Sequence, residues 1–231
     1  QFFGIEIDDF AHEVAVLSLW LAEHQMNMVF KAKFGYAEAA LPLRDSGNIV
    51  CGNALRLDWK DVCPPADANG NPYEVYICGN PPFLGTTERS AEQSADMKHV
   101  FAGFKSIGYL DLVSAWFWKS VQYIAGNTAK FALVSTNSIC QGDQTSLLWP
   151  PIFDLGISID FCYQTFTWSN NAKNKAAVHV VVVGLKNSND TSRKPRIFSV
   201  AQDRVLSSEV ENIRFFTESR ERQKQERRFE G

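Results

Sequence analysis

Apolar and polar positions along this chain follow two periods, and the switches between them mark the elements. Residues 2–7 read as a short strand with Glu6 and Asp8 at its exit. From Asp9 to about Phe30 the period lengthens to that of a helix. Phe10, Val14, Leu17, Leu21 and Met28 share one face, and Asp8 or Asp9 can act as N-cap. Residues 31–46 read as helix end and loop, 48–55 as a short strand, and the Pro, Gly, Asn and Asp cluster at 64–72 as a surface loop. The apolar run Val75-Tyr76-Ile77-Cys78 predicts a buried strand, and residues 85–98 a polar, partly mobile stretch. Residues 110–124 predict an apolar helix with Trp116, Phe117, Trp118 and Tyr123, aromatic residues that belong to the core. Residues 130–136 predict another buried strand, ending at Ser135-Thr136-Asn137-Ser138. A short helix over 144–148 is stopped by Pro150-Pro151. Residues 157–166 and 176–185 predict two strands whose joint is too short for a crossover helix, so the pair is antiparallel.

Strands alternating with helices and closing in an antiparallel pair indicate an open α/β sheet with a C-terminal hairpin. The 231 residues suffice for a full core, and a composition of 45% hydrophobic and 21% charged residues is ordinary for a globular protein. No apolar run approaches the roughly 20 residues of a membrane-spanning helix, and no secretory pattern opens the chain. Five scattered cysteines read as buried free thiols of a reducing, cytoplasmic compartment. Neither they nor the four histidines have metal-ligand spacing, so no metal is expected. A net charge of −3 gives no support for a self-sufficient nucleic-acid-binding domain. The chain opens at Gln1 inside a strand-like segment and closes in a charged stretch, which reads as an excerpt from a longer polypeptide.

Candidate chemistry concentrates at Gly79-Asn80-Pro81-Pro82-Phe83, directly after an apolar strand. Two prolines cannot continue a ladder, because each lacks an N–H and fixes φ. They stiffen a turn at the carboxyl end of the strand, where open α/β sheets place ligands. The turn offers the Asn80 amide, the Pro81 carbonyl and the Phe83 ring, which suits a flat, amine-bearing heteroaromatic such as adenine. A rigid structural turn is the bland alternative. The run resembles the Asn-Pro-Pro-aromatic signature of the amino-methyltransferases that act on adenine in DNA. That resemblance implies a class I, Rossmann-like fold using S-adenosylmethionine, with double-stranded DNA as partner. It assigns Asn80 and Pro81 as acceptors for the target amine, with Pro82 stiffening the turn and Phe83 stacking on a base flipped out of the duplex. Fixed acceptors of this kind hold the amine lone pair in line with the methyl donor, which is catalysis by orientation rather than by a strong base.

The same resemblance assigns further residues. Glu6, with Ile7 beside it, ends the strand that corresponds to the second of that fold, where an acidic side chain binds ribose hydroxyls; a helix cap or solvated carboxylate is the competing reading. Asn53 and Ala54, in Cys51-Gly52-Asn53-Ala54-Leu55, resemble the segment that contacts the cofactor adenine, although Gly-Asn also suits a plain turn. Trp168 resembles the aromatic that closes on the flipped base from the last hairpin, with Phe166 as inward neighbour and hairpin core packing as the alternative. Lys173 and Lys175 are candidate phosphate contacts. No glycine-rich first motif is present, so residues 1–186 read as a partial catalytic domain lacking its first strand, inactive alone. Residues 187–231 read as a linker or the start of a target-recognition region, with a charged, solvated helix over 214–231. Within the class the segments are most similar to MmeI-like restriction–modification enzymes, which implies nuclease and target-recognition domains elsewhere in the parent. The remaining alternatives are a methyltransferase of RNA bases or protein glutamine, and a catalytically dead scaffold of the same fold.

Overall fold

A computed structural model describes residues 1–36, 48–168, 178–201 and 204–213 of the chain. They fall into two compact units, Gln1–Pro64 and Pro65–Gly231. In the first, strand β1 (Gly4–Glu6) runs parallel to β2 (Ile49–Cys51), with Glu6 opposite Cys51. Helix α1 (Asp9–Phe34) begins where Asp8, in extended conformation, accepts from the Ala11 N–H. It ends at Gly35, whose left-handed φ of 80° lets its N–H reach the Lys31 carbonyl. An aspartate before the helix and a glycine after it are the residues each position favours. The stripe Phe10, Val14, Leu17, Leu21 and Met28 locates the helix but is exposed, and Val16 is the buried residue of α1. His12 Nε2 lies 3.0 Å from the Ile49 carbonyl and ties α1 to β2. A short helix, α2 (Trp59–Val62), is capped by the Asp58 carboxylate.

The second unit holds a six-stranded sheet in the order β3-β4-β6-β5-β7-β8. β3 (Tyr76–Gly79) is parallel to β4 (Lys130–Thr136), and β6 (Val178–Asn187) runs antiparallel between β4 and β5 (Ile157–Trp168). The antiparallel hairpin expected from the sequence is therefore present, and its joint at 169–177 lies outside the described residues. The sheet then continues past residue 186. β7 (Arg196–Ala201) pairs in parallel with β5, and β8 (Arg204–Glu209) pairs antiparallel with β7. The charged stretch 214–231 lies outside the described residues. Among the described residues no helix is long and apolar enough to cross a membrane.

The core lies between this sheet and two helices, α4 (Val113–Ile124) and α5 (Gly142–Asp154). Phe117, fully buried, meets Phe131 of β4 and Trp149 of α5 edge-on at ring distances of 5.8 and 6.0 Å. The Trp149 indole N–H donates to the Ile139 carbonyl at 2.8 Å, so its polar atom is satisfied inside the core. Pro150 and Pro151 do not stop α5; both lie within it. Burial of Leu148, Trp149 and Ile152, on the order of 2 kcal/mol or more each, offsets about 3 kcal/mol per interior proline. The polar stretch expected at 85–98 is also corrected: it contains α3 (Ala91–Val100). A reciprocal capping box between Ser90 and Gln93 starts that helix, and Met97 and Val100 bury its inner face.

The cysteines depart from the sequence reading in part. All five are free, but Cys51 and Cys78 are exposed. Burial pushes the Cys162 thiol up to about 11 and that of Cys140 higher still.

At the start of β5 the Asp160 carboxylate, 3% exposed, accepts from Lys186 Nζ at 3.1 Å and from the Arg193 guanidinium. Lys186 Nζ also donates to the Arg193 carbonyl at 3.1 Å, and Lys130 pairs with Asp190 at 2.6 Å. These bonds tie the loop leading to β7 back onto β5 and β6. Burial opposes ionisation of Asp160, but the hydrogen bonds from Arg193 and Lys186 outweigh it and hold the carboxyl below its ordinary value.

Two consequences are measurable. A Cβ at Gly184 would stand within 2.6 Å of Phe161 Cδ1, its cross-strand neighbour. Gly184→Ala therefore destabilises the protein by about 1–3 kcal/mol in urea denaturation; an unchanged midpoint would show that Phe161 moves freely. The lowered pKa of Asp160 means its contribution is complete above the ordinary carboxylate range, near pH 4, and is lost as pH falls through the lower folded value. Asp160→Asn flattens that acid limb of the stability curve and, by leaving the buried Lys186 ammonium without its counter-charge, costs about 3–5 kcal/mol at neutral pH. An acid limb identical to wild type would remove Asp160 as its source.

Candidate functional site

β3 and β4 are parallel, and β4 and β5 are each antiparallel to β6, so the carboxyl ends of β3, β4 and β5 share one edge. The Asn-Pro-Pro-Phe turn leaves β3 at that edge. Gly79 is opposite Leu133, and a Cβ on it would stand 3.4 Å from Leu133 Cδ2, at the near limit of van der Waals contact. Pro81 is buried, Phe83 half-buried, and Asn80 and Pro82 are exposed. Pro81 thus anchors the turn, Pro82 fixes its φ from the solvent side, and the Asn80 side chain stays open to a ligand. The Leu84 carbonyl accepts from the Leu112 N–H at 3.0 Å, which fixes the exit of the turn against the approach to α4.

Phe166 and Trp168 reach the same edge along β5. In register, Thr136 of β4 lies opposite Val180 of β6, which lies opposite Phe166. Three strand spacings separate β5 from β3, about 14 Å. A register shift between Tyr163 and Phe166 marks a bulge of the kind that re-aims side chains at sites. Beyond it the Phe166 and Trp168 rings lie 6.3 Å apart, Phe166 half-buried and Trp168 44% exposed. Tyr163 is stacked on Phe198 of β7 at 4.6 Å, so the added strand supports the base of this aromatic group. Lys173 and Lys175 lie outside the described residues.

In the first unit, Glu6 and the Gly52-Asn53-Ala54 turn are neighbours at the carboxyl ends of β1 and β2. The Gly52 N–H donates to the Glu6 carbonyl at 2.7 Å. The Asn53 side-chain oxygen accepts from the Leu55 N–H at 2.9 Å, and its carbonyl accepts from Arg56 and Leu57. That is an Asx turn, so the structural role of Asn53 is realised whatever else it binds. The Ala54 carbonyl accepts from the Trp59 indole at 2.8 Å. Ile7 is 69% exposed, and Asp8 is committed as the helix cap. The Cys51 thiol donates to Asp9 at 3.0 Å, and this bond to a carboxylate raises its pKa. A half-buried carboxylate beside a turn of backbone amides and carbonyls can hold a ribose diol and an adenine edge, which fits a nucleotide-type cofactor.

One group escaped the sequence reading. Asp111 sits between the buried residues Leu110 and Leu112 and joins Ser138, in the 3-10 turn that follows β4, to Gln144 of α5. A charged residue flanked by two buried leucines was the available signal.

Comparison with known proteins adds to this geometry. The sequence model of the family described as MmeI, DNA-methyltransferase domain, matches residues 1–199. DNA methyltransferase A of Bacillus subtilis (strain 168) is 51% identical over 185 residues, which are 80% of this chain and 21% of that protein. A solved structure of the type IIL restriction-modification enzyme MmeI in complex with DNA superposes with a TM-score of 0.81 at 42% identity. It covers 92% of this chain and 28% of the longer one. The chain thus spans between a fifth and just over a quarter of the length of these two proteins.

Proposed function

The chain belongs to the MmeI DNA-methyltransferase domain family, and from that premise we propose that it methylates the N6 amine of an adenine flipped out of duplex DNA, using S-adenosylmethionine. The observation that carries this reading is the Asn80-Pro81-Pro82-Phe83 turn at the carboxyl end of a parallel strand, with Pro81 buried and Asn80 exposed. The cofactor supplies an electrophilic methyl group on a sulfonium. Glu6 and Ile7, with Asn53 and Ala54 at the end of the neighbouring strand, hold its nucleoside end. Asn80 Oδ1 and the Pro81 carbonyl accept the two amine hydrogens. This would orient the nitrogen lone pair and stabilise the positive charge that develops as the C–N bond forms and the methyl–sulfur bond breaks, the neutral thioether leaving and the surplus amine proton passing to water.

Phe83 stacks on the flipped base, and Trp168 with Phe166 closes on it from the hairpin. Aromatic stacking of about 1–3 kcal/mol per base is comparable to the few kcal/mol needed to unstack it. The Pro-Cys pair of covalent cytosine chemistry does not occur at the turn, so transfer is direct. The parent is a cytoplasmic restriction–modification enzyme whose nuclease and target-recognition domains provide cleavage and most of the DNA grip. The 231-residue chain by itself is inactive in this reading.

The test uses the intact parent with duplex DNA and tritiated S-adenosylmethionine, followed by digestion to nucleosides. Label appears in N6-methyl-2′-deoxyadenosine and falls by about 10²–10³-fold with Asn80→Ala, the effect of removing one preorganised hydrogen-bonding group. Label in RNA or protein controls would replace the substrate, and no label with cofactor bound would make the fold a scaffold. Glu6→Ala weakens cofactor binding by about tenfold or more, the loss of a charge-assisted hydrogen bond, and leaves DNA affinity unchanged. Wild-type cofactor affinity in that variant would remove Glu6 from the cofactor site.

A further inference from the structure

Asp111 stands just ahead of α4, where an aspartate ordinarily caps a helix. It does not do so here: the N-cap position belongs to Leu112, with no side-chain cap hydrogen bond. The carboxylate is spent instead on contacts distant in sequence. Its Oδ2 accepts from Ser138 Oγ and from Gln144 Nε2, both at 2.7 Å. The Asp111 N–H returns a bond to Gln144 Oε1 at 3.0 Å, so the two residues grip each other through two parallel bonds. Gln144 is 7% exposed, which makes an unmatched amide there costly. Ser138 Oγ is also 2.7 Å from Thr136 Oγ1, the last residue of β4. The next peptide along, Leu112 N–H, is the one that holds the Leu84 carbonyl directly after Phe83. One dipeptide therefore connects the exit of the Asn-Pro-Pro-Phe turn, the end of β4 and the first turns of α5.

We propose that Asp111 is a positioning residue for methyl transfer: through Leu112 it sets the Asn80–Leu84 turn against the end of β4 without touching substrate. The inference rests on the function proposed above. A misplacement of an ångström in a reaction that depends on alignment costs far more rate than affinity, so loss of Asp111 lowers the rate constant while binding persists.

The network offers its own rescue. As single variants, Asp111→Ala removes the acceptor of both bonds and leaves the buried Gln144 amide unmatched, while Gln144→Glu sets two carboxylates face to face. Together, Asp111→Asn with Gln144→Glu restores one donor against one acceptor. The Asp111 N–H keeps a carboxylate oxygen as its acceptor, and Ser138 Oγ reverses to accept while donating to Thr136.

The experiment compares wild type, both single variants and the exchanged pair in the intact parent. Single-turnover methyl transfer, cofactor and DNA dissociation constants, thermal midpoint and hydrogen exchange of the Leu112 amide are measured for each. Each single variant is expected to lose about 10–100-fold in rate, with both dissociation constants within about twofold and faster Leu112 exchange; the exchanged pair recovers most of the rate. Unchanged rates in the single variants, losses that track unfolding, or no recovery in the exchanged pair would overturn the proposal. If the wild-type parent binds DNA and cofactor but transfers no methyl group, the proposed function fails. Leu112 exchange then decides separately whether Asp111 holds the turn, and unchanged exchange would overturn that too.

Discussion

The rest of the second unit depends on a strand that is forced to stop. β3 contributes four residues to the sheet, and the two prolines soon after it have no N–H to offer β4. The chain must therefore leave the ladder at the carboxyl end, just after the register in which Gly79 faces Leu133. Because β4 is parallel and β6 runs back beside it, the same edge receives the end of β4 and the end of β5. The site elements are widely separated in sequence, yet strand polarity alone carries Asn80, Thr136 and Phe166 to one rim.

Charge is handled at the other end of the sheet. Lys130 opens β4, Asp160 lies near the start of β5 and Lys186 near the end of β6, so the ion cluster marks the rim opposite the Asn-Pro-Pro-Phe turn. There the buried carboxylate secures the loop into β7, and β7 in turn places Phe198 under Tyr163. Ionic bonds fix the extension of the sheet, while neutral amides, carbonyls and rings line the functional rim. The two demands do not compete for the same residues.

How much of this was legible in the sequence varies with the kind of force involved. The strand over 130–136 was readable to the residue, because a buried strand announces itself by a short apolar run bounded by polar turns. The Asn80 turn was equally readable, since proline chemistry is local. The helix over 142–154 was not, because its prolines speak against it locally and only the burial of Trp149 and Ile152 speaks for it. α3 was missed for the opposite reason: its inner face is narrow, although Ser90 and Gln93 spelled a capping box. β7 and β8 alternate only weakly, with Val200, Val205 and Leu206 exposed, and their place is set by partners far away in the chain. Phe10, Val14 and Leu17 gave the helix correctly and its buried face wrongly, since periodicity reports a stripe but not what covers it.

Titration behaviour is a poor guide to this site, and the chemistry explains why. Perturbed carboxylates and thiols point to reaction centres when a reaction needs a base or a nucleophile. Here the strongly moved groups are the thiols of Cys140 and Cys162, raised by burial, and the carboxyl of Asp190, lowered by its hydrogen bond from Lys130; Asp160, in the same ion cluster, is lowered as well. In the function proposed above, an adenine amine attacking a sulfonium methyl group needs neither a strong base nor a covalent partner, only two fixed acceptors and a ring to lie against. Groups of that kind do not ionise, so geometry is the only trace they leave. For the same reason the demands of such a site fall on whatever holds its backbone still. In this chain that burden passes from the prolines of the turn, through the Leu84 carbonyl, to the Leu112 N–H and the carboxylate beside it.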